Sequence, residues 1–286
     1  ATVTCTSPRA CNDDWDEAGN FLYAHTTAIC PSDAGPCKSA RFGGASLECD
    51  GYNACRSAKF TCGADSACRA RCFGSENDVC RSLEVYGEGA ASLAVAGDID
   101  GGWRNRENQA DYRCSSTSCG QYHGRSVLTS AKVHCPLEPP SGGGPAASCN
   151  VTCTGTKSKY RHPVSNYEWS YTDSGTKYCR TTRADDRPCG EPRDLCSSME
   201  IFAPADTTGD HAAVSLACTG DGRTMCQNVK LMDSGSTQLE STTLPCSLDC
   251  RSTGKEVCEN LKFNCAGANA LTCEGQRACA NAEYHC

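Results

Sequence analysis

A six-residue phrase recurs along this chain, and its recurrence constrains the fold more than any other feature. It reads Cys, any residue, Ser or Asn, a small or aliphatic residue, a charge, then a large apolar residue. CKSARF begins at Cys37, CRSAKF at Cys55, CRSLEV at Cys80, CSSMEI at Cys196, CQNVKL at Cys226, CENLKF at Cys258 and CANAEY at Cys279. LTSAKV, beginning at Leu128, is an eighth copy with leucine in place of cysteine, and CRARCF at Cys68 is a degenerate one. Repetition of a short unit marks a repeat architecture, in which each unit buries its apolar face only against its neighbours.

The period inside the phrase identifies its backbone. In CRSAKFTC, Ala58, Phe60 and Cys62 fall on one face while Ser57, Lys59 and Thr61 fall on the other, the alternation of a strand with an apolar inner side. A second phrase often precedes the first: SLECDG at Ser46, SLAVAGD at Ser92, SLACTGD at Ser215 and ALTCEG at Ala270. Its Gly-containing end predicts a turn. Joined, the two phrases give units of two short strands separated by a tight corner.

Phrase starts lie 18 residues apart from 37 to 55, 21 from 258 to 279, 30 from 196 to 226 and 32 from 226 to 258. The short spacings suit one coil of a β-solenoid, and the long ones suit a coil with an inserted loop. The expected fold is therefore all-β, with two tandem disulfide-rich β-solenoid domains; disulfide-stapled β-sandwiches are the competing architecture. Stacked coils about 4.8 Å apart would align like positions. Cysteines would then staple neighbouring coils, and Ser and Asn would form a ladder at the corner. The charged position would run Arg41, Lys59, Glu84, Lys132, Glu200, Lys230, Lys262, Glu283, with Lys59–Glu84, Glu200–Lys230 and Lys262–Glu283 as opposite-sign neighbours.

Longer repeats divide the chain. Val3-Thr4-Cys5-Thr6 recurs as Val151-Thr152-Cys153-Thr154, and SAKVHC ending at Cys135 matches NAEYHC ending at Cys286. Residues 136–148, PLEPPSGGGPAAS, read as a linker. The expected domains are 1–135 and 149–286.

The chain has 27 cysteines in 286 residues, 13 in the first half and 14 in the second. That density belongs to oxidising compartments, so the chain reads as a secreted, mature protein that has lost its signal peptide. Spacing does not fix pairing. The repeated units nominate Cys49, Cys55, Cys62, Cys135, Cys258, Cys265, Cys273, Cys279 and Cys286 as disulfide cysteines, and the odd total leaves a thiol that is either buried and free or bonded to another chain. Asn150-Val151-Thr152 is the only N-glycosylation sequon.

Other chemistry is sparse. A net charge of −7 with mixed signs offers no basic block for nucleic acid. No apolar run approaches the roughly 18 residues of a membrane span. Without any C-x-x-C pair, no zinc or other cofactor is expected. The acidic stretch 12–17 and the pair Asp98 and Asp100 contain oxygen ligands, but neither fits an EF-hand loop and both read as solvated acidic loops. None of the six histidines sits in a nucleophile or metalloprotease motif, and no catalytic residue is nominated. Tyr167, Trp169 and Tyr171 alternate onto one face, giving either a sugar-stacking strip or a strand that covers the end of the second domain. The charged outward centre of the repeated strands argues against an ice-binding array.

These CxSAxF-like strands resemble the cysteine-rich solenoid repeats of secreted microbial surface proteins, and more loosely the disulfide-laddered β-helices of insect antifreeze proteins. The second resemblance stops at architecture, because the repeat length differs and the threonine array is missing. The expected function is a non-catalytic structural subunit of an extracellular assembly such as a cell-surface filament, flagellar hair or matrix layer, with other copies as partners. A secreted carbohydrate-binding module with a glycan partner is the alternative, and a polysaccharide-cleaving solenoid enzyme the third reading.

Overall fold

The computed structural model describes residues 2–4, 27–30, 37–50, 53–64, 67–73, 78–100, 126–137, 147–156, 166–171, 177–182, 194–203, 213–220, 224–232, 246–264 and 270–285. The first half contributes β1 (Thr2–Thr4), β2 (Thr27–Cys30), β3 (Arg41–Gly44), β4 (Ser46–Asp50), β5 (Lys59–Cys62), β6 (Ala67–Phe73), β7 (Glu84–Tyr86), β8 (Ser92–Asp100) and β9 (Lys132–His134). The second contributes β10 (Ser148–Thr156), β11 (Asn166–Tyr171), β12 (Lys177–Thr182), β13 (Glu200–Phe202), β14 (Ala213–Gly220), β15 (Lys230–Met232), β16 (Cys246–Lys255), β17 (Lys262–Asn264), β18 (Leu271–Gln276) and β19 (Glu283–His285).

The fold is all-β and disulfide-rich, and its two large sheets are parallel. A nine-stranded sheet runs β1-β2-β4-β6-β8-β10-β14-β16-β18, and an eight-stranded sheet runs β3-β5-β7-β9-β13-β15-β17-β19. From β2 to β9 the chain alternates between these sheets, so each long-sheet strand is followed by a corner and a short-sheet strand. β10 pairs with β8 on one side and β14 on the other, so the long sheet runs past residues 136–148 without a break. Cys135 and Cys149 are bonded across that segment.

Strand parity makes the core. Between the sheets, the long sheet aligns Ala28, Leu47, Ala70, Val95, Val151, Leu216, Leu248 and Leu271. All but Leu271 are buried. The short sheet aligns Phe42, Phe60, Val85, Val133, Ile201, Leu231 and Phe263 opposite them, all buried. Burying each large aliphatic residue contributes about 1.5–3 kcal/mol. CRARCF at Cys68, counted above with the corner phrases, lies instead in long-sheet strand β6, where Ala70 pairs with Leu47.

The corners are where the repeated phrase acts. CRSA at residues 55–58 is turn rather than strand, and the short-sheet strand begins at Lys59. Two overlapping turns close it: Arg56 N–H donates to the Asn53 carbonyl (3.2 Å) and Ala58 N–H to the Cys55 carbonyl (3.1 Å). Asn53, Cys55 and Ser57 all have positive φ, and the same alternation recurs at Asp78, Cys80 and Ser82 and at five later corners. Each left-handed residue costs about 1–2 kcal/mol. Hydrogen bonds to the corners on either side offset part of that cost. On one side Ser39 N–H donates to the Arg56 carbonyl (2.8 Å), and on the other Ser57 N–H donates to the Arg81 carbonyl (2.8 Å).

Among the described residues, a disulfide accompanies these bonds at seven corners. The pairs are Cys30–Cys37, Cys49–Cys55, Cys72–Cys80, Cys153–Cys196, Cys218–Cys226, Cys250–Cys258 and Cys273–Cys279. Each ties a corner to the long-sheet strand just before it, so these bridges lie within a unit and not between neighbouring coils as expected. The reason is reach: a corner cysteine and the strand cysteine of its own unit are only 6.0 Å apart at Cα in Cys49–Cys55. Cys62–Cys68 and Cys135–Cys149 differ, joining a short-sheet strand to the next long-sheet strand. Closing a loop of six to eight residues adds about 2.5 kcal/mol, enough with two ladder hydrogen bonds of ~1 kcal/mol each to balance three left-handed residues.

Candidate functional site

Three surfaces carry the exposed chemistry. The first is the outward column of the short sheet. Arg41, Lys59, Glu84, Lys132, Glu200 and Lys230 are consecutive register partners. Lys230 then pairs with Lys262, and Lys262 with Glu283. Lys59 Nζ lies 2.7 Å from Glu84, Lys132 3.9 Å and Lys230 4.0 Å from Glu200, and Lys262 3.1 Å from Glu283. Glu200 bridges cations on both sides, one from each half of the chain. The hydrogen bond from Lys59 holds the Glu84 carboxyl below the ordinary range, and the same contact raises Lys59. Hydrogen bonding to Glu84 pushes the Tyr86 phenol up. Every shift keeps its group in the charge state it already has at neutral pH.

Two residues further along, the outward column becomes aromatic. Tyr86 stacks on His134 with centroids 4.7 Å apart, and His134 stacks on Phe202 at 4.6 Å. Lys59 covers the outer face of this stack, 5.9 Å from the Tyr86 centroid. The rings thus spend their faces on one another and present edges to solvent, a poor platform for a sugar. Burial lowers the His134 pKa, against the opposing pull of Glu88, whose carboxylate is 3.5 Å away.

The second surface is the corner ridge. Asn260 Nδ2 donates to Asn228 Oδ1 (3.1 Å) and Asn281 Nδ2 to Asn260 Oδ1 (3.2 Å), which realises the expected polar ladder over the three asparagine corners. Beside it Arg277 spans Glu256 (3.2 Å) and Glu259 (2.5 Å). Behind the corners, buried sulfurs stack: Sγ atoms of Cys49, Cys72 and Cys80 lie within 4.8 Å of one another, as do those of Cys218, Cys226 and Cys258. All six are in disulfides, which are not thiolate metal ligands.

The third surface is the end of the long sheet. Leu271 has inward parity but is 45% exposed, and β18 pairs only with β16 among the described residues. Residues 273–277 are exposed alongside it.

The sequence-nominated residues distribute as follows. Cys265, Cys286 and the acidic stretch 12–17 lie outside the described residues. Asp98 accepts from Arg71 Nε at 3.2 Å, so this carboxylate is ion-paired on the long sheet. Tyr167, Trp169 and Tyr171 lie in β11, which among the described residues pairs antiparallel with β12 alone. That hairpin is inserted after β10, the sixth strand of nine, and Cys153–Cys196 closes its base. Asn150 is exposed on β10.

Compared with known protein families, curated proteins and solved structures, the chain matches none. Among the described residues, no helix is long and apolar enough to cross a membrane. The abundance of disulfides is typical of extracellular proteins.

Proposed function

We propose that this chain is a β-solenoid of stacked two-strand coils, in two tandem halves, that serves as a non-catalytic structural subunit of an extracellular assembly. It reaches that assembly by the secretory route and joins other copies end to end. The observation that carries this reading is Leu271. Its register partner Leu248, and Leu216 beyond it, are each about 1% exposed because a strand covers them on both sides, whereas Leu271 is 45% exposed on β18, which pairs with β16 alone among the described residues. An exposed, partly apolar strand edge is a template for pairing. All ladders in both large sheets are parallel, so a head-to-tail copy extends both sheets in the same sense. Such a heterologous contact propagates as a fibre. The odd count of 27 cysteines supplies one sulfur for a bond between chains.

Electron microscopy and sedimentation of the full chain in non-reducing buffer test this. Wild type should form linear oligomers with concentration, and Leu271→Asp should stay monomeric with its fold intact. A wild type that remains a monodisperse monomer at high concentration contradicts the assembly.

A second reading, a carbohydrate-binding module, rests on the β11–β12 hairpin, an antiparallel element apart from the parallel ladders that carries Tyr167, Trp169 and Tyr171. A glycan array tests it, with Trp169→Ala expected to abolish any hit; equal binding by that variant removes the strip from consideration.

A further inference from the structure

The outward face of the long sheet changes character at its centre. On β6 it carries Arg69 and Arg71, and on β16 Asp249 and Arg251. Between them lie Ala94 and Ala96 on β8, Asn150, Thr152 and Thr154 on β10, and Ser215, Ala217 and Thr219 on β14, all in register. None of these is charged or large; the field ends at Asp98 on β8, which is the register partner of Thr154 and is ion-paired with Arg71. Flat sheet faces of small side chains pack on one another at about 10 Å, so this field is a natural seat for the same face of a second copy.

Asn150 and Thr152 stand near the middle of this field, both exposed and, by strand parity, on the same side. Together they are the acceptor and hydroxyl of the chain's single sequon. Ser215 Oγ donates to Asn150 Oδ1 at 2.6 Å. That contact orients the amide through its oxygen and leaves Nδ2, the atom a glycan is joined to, uncommitted. The neighbours Ala94 and Ala217 raise no side chain that would block a sugar lying across them.

We propose that Asn150 carries an N-linked glycan that lies over this small-residue field and keeps the face from packing against the same face of a second copy. In the attachment, Asn150 Nδ2 forms the bond to the anomeric carbon of a lipid-linked oligosaccharide. The lipid pyrophosphate departs, and the displaced amide proton goes to a base of the transferase. An oligosaccharide on the central strand does not fit into a gap of about 10 Å between packed sheets. The glycan would thus direct association toward the strand edges by closing the flat side. The inference rests on the secretory reading but not on end-to-end assembly.

The test is to secrete the full chain from a eukaryotic cell and measure intact mass before and after amidase removal of N-glycans, then sedimentation of both forms. The expected result is a glycan on wild type and on Thr152→Ser, and none on Asn150→Gln or Thr152→Ala. The bare forms should associate side by side, and Ala217→Lys should reverse that association while leaving any end-to-end oligomers of Leu271-intact chains. A secreted, disulfide-bonded wild type with unmodified Asn150 overturns the site. A glycan whose removal leaves sedimentation unchanged overturns the shielding role. Retention of the chain with free thiols contradicts the compartment itself, a separate failure.

Discussion

Among the described residues, seven corners hold a cysteine bonded to the preceding long-sheet strand, while the corner at Leu128 holds none, and the two kinds have the same backbone. Ser126, Leu128 and Ser130 have φ of 65°, 53° and 55°, matching Asp78, Cys80 and Ser82 at 60°, 52° and 58°. The ladder is unbroken too: Leu128 N–H donates to the Val79 carbonyl and Cys196 N–H to the Val127 carbonyl. The strand position that pairs with Cys72 and Cys153 is Gly97. A Cβ there would sit 2.9 Å from Leu128 Cδ1, 3.1 Å from Leu195 Cδ1 and 3.2 Å from Cys196 Sγ. Leu128 therefore fills the volume a disulfide takes elsewhere, and Gly97 makes room for it. The comparison teaches that sulfur secures this backbone without dictating it; a shape-matched apolar pair serves the same corner.

The most damaging way to break that equivalence is Leu128→Ala. It empties the space above Gly97 with no bridge to hold the corner, and should cost about 2–5 kcal/mol in denaturant unfolding. Gly97→Ala attacks from the other side by overpacking, for about 1–3 kcal/mol; it should be milder in a Leu128→Ala background, where the new methyl has room. The comparison is sharpened by Gly97→Cys with Leu128→Cys. This double variant should oxidise to an eighth corner disulfide, seen by peptide mapping. It should roughly retain wild-type stability, since the closure gain of about 3–4 kcal/mol is set against the lost leucine burial.

Smaller effects belong to the outward columns. Lys59→Ala should cost about 0.2–1 kcal/mol at neutral pH and low salt. Because the Glu84 pKa is lowered on folding, that contribution is present above the ordinary carboxylate range and fades as pH falls through the folded value. The Lys59 pKa is raised, so at the alkaline end the contribution fades as pH rises past its folded value. His134 is lowered by burial, so the folded chain loses stability as pH drops below the ordinary histidine value of about 6.5. His134→Phe, which keeps the stack on Tyr86 and Phe202, should flatten that part of the profile.

Much of this was written in the phrase itself. The x-charge-apolar end of CRSAKF placed Lys59 outward and Phe60 inward, and opposite signs at Glu84, Glu200 and Glu283 anticipated the ion pairs of the short sheet. The corner conformation was not legible, because positive φ at Cys and Ser is imposed by ladder hydrogen bonds to other units, which no local propensity reports. Nor was the pairing of cysteines, since Cys49 has several cysteines at comparable sequence distance and only the stacked geometry selects Cys55. The Gly97–Leu128 exchange was visible only as a missing cysteine; its complement, a glycine in the partner strand, lies 31 residues earlier, across an insertion. The Tyr86–His134–Phe202 stack escaped notice because its members follow three differently spelled phrases, EVY, KVH and EIF.

Disulfide mapping of the intact, non-reduced chain tests the stacked-unit account most directly. It predicts peptides joining Cys49 to Cys55, Cys72 to Cys80, Cys153 to Cys196 and Cys250 to Cys258, each corner to its own preceding strand. Bonds joining a corner to the strand of another unit, such as Cys55 to Cys72 or Cys196 to Cys218, would contradict it.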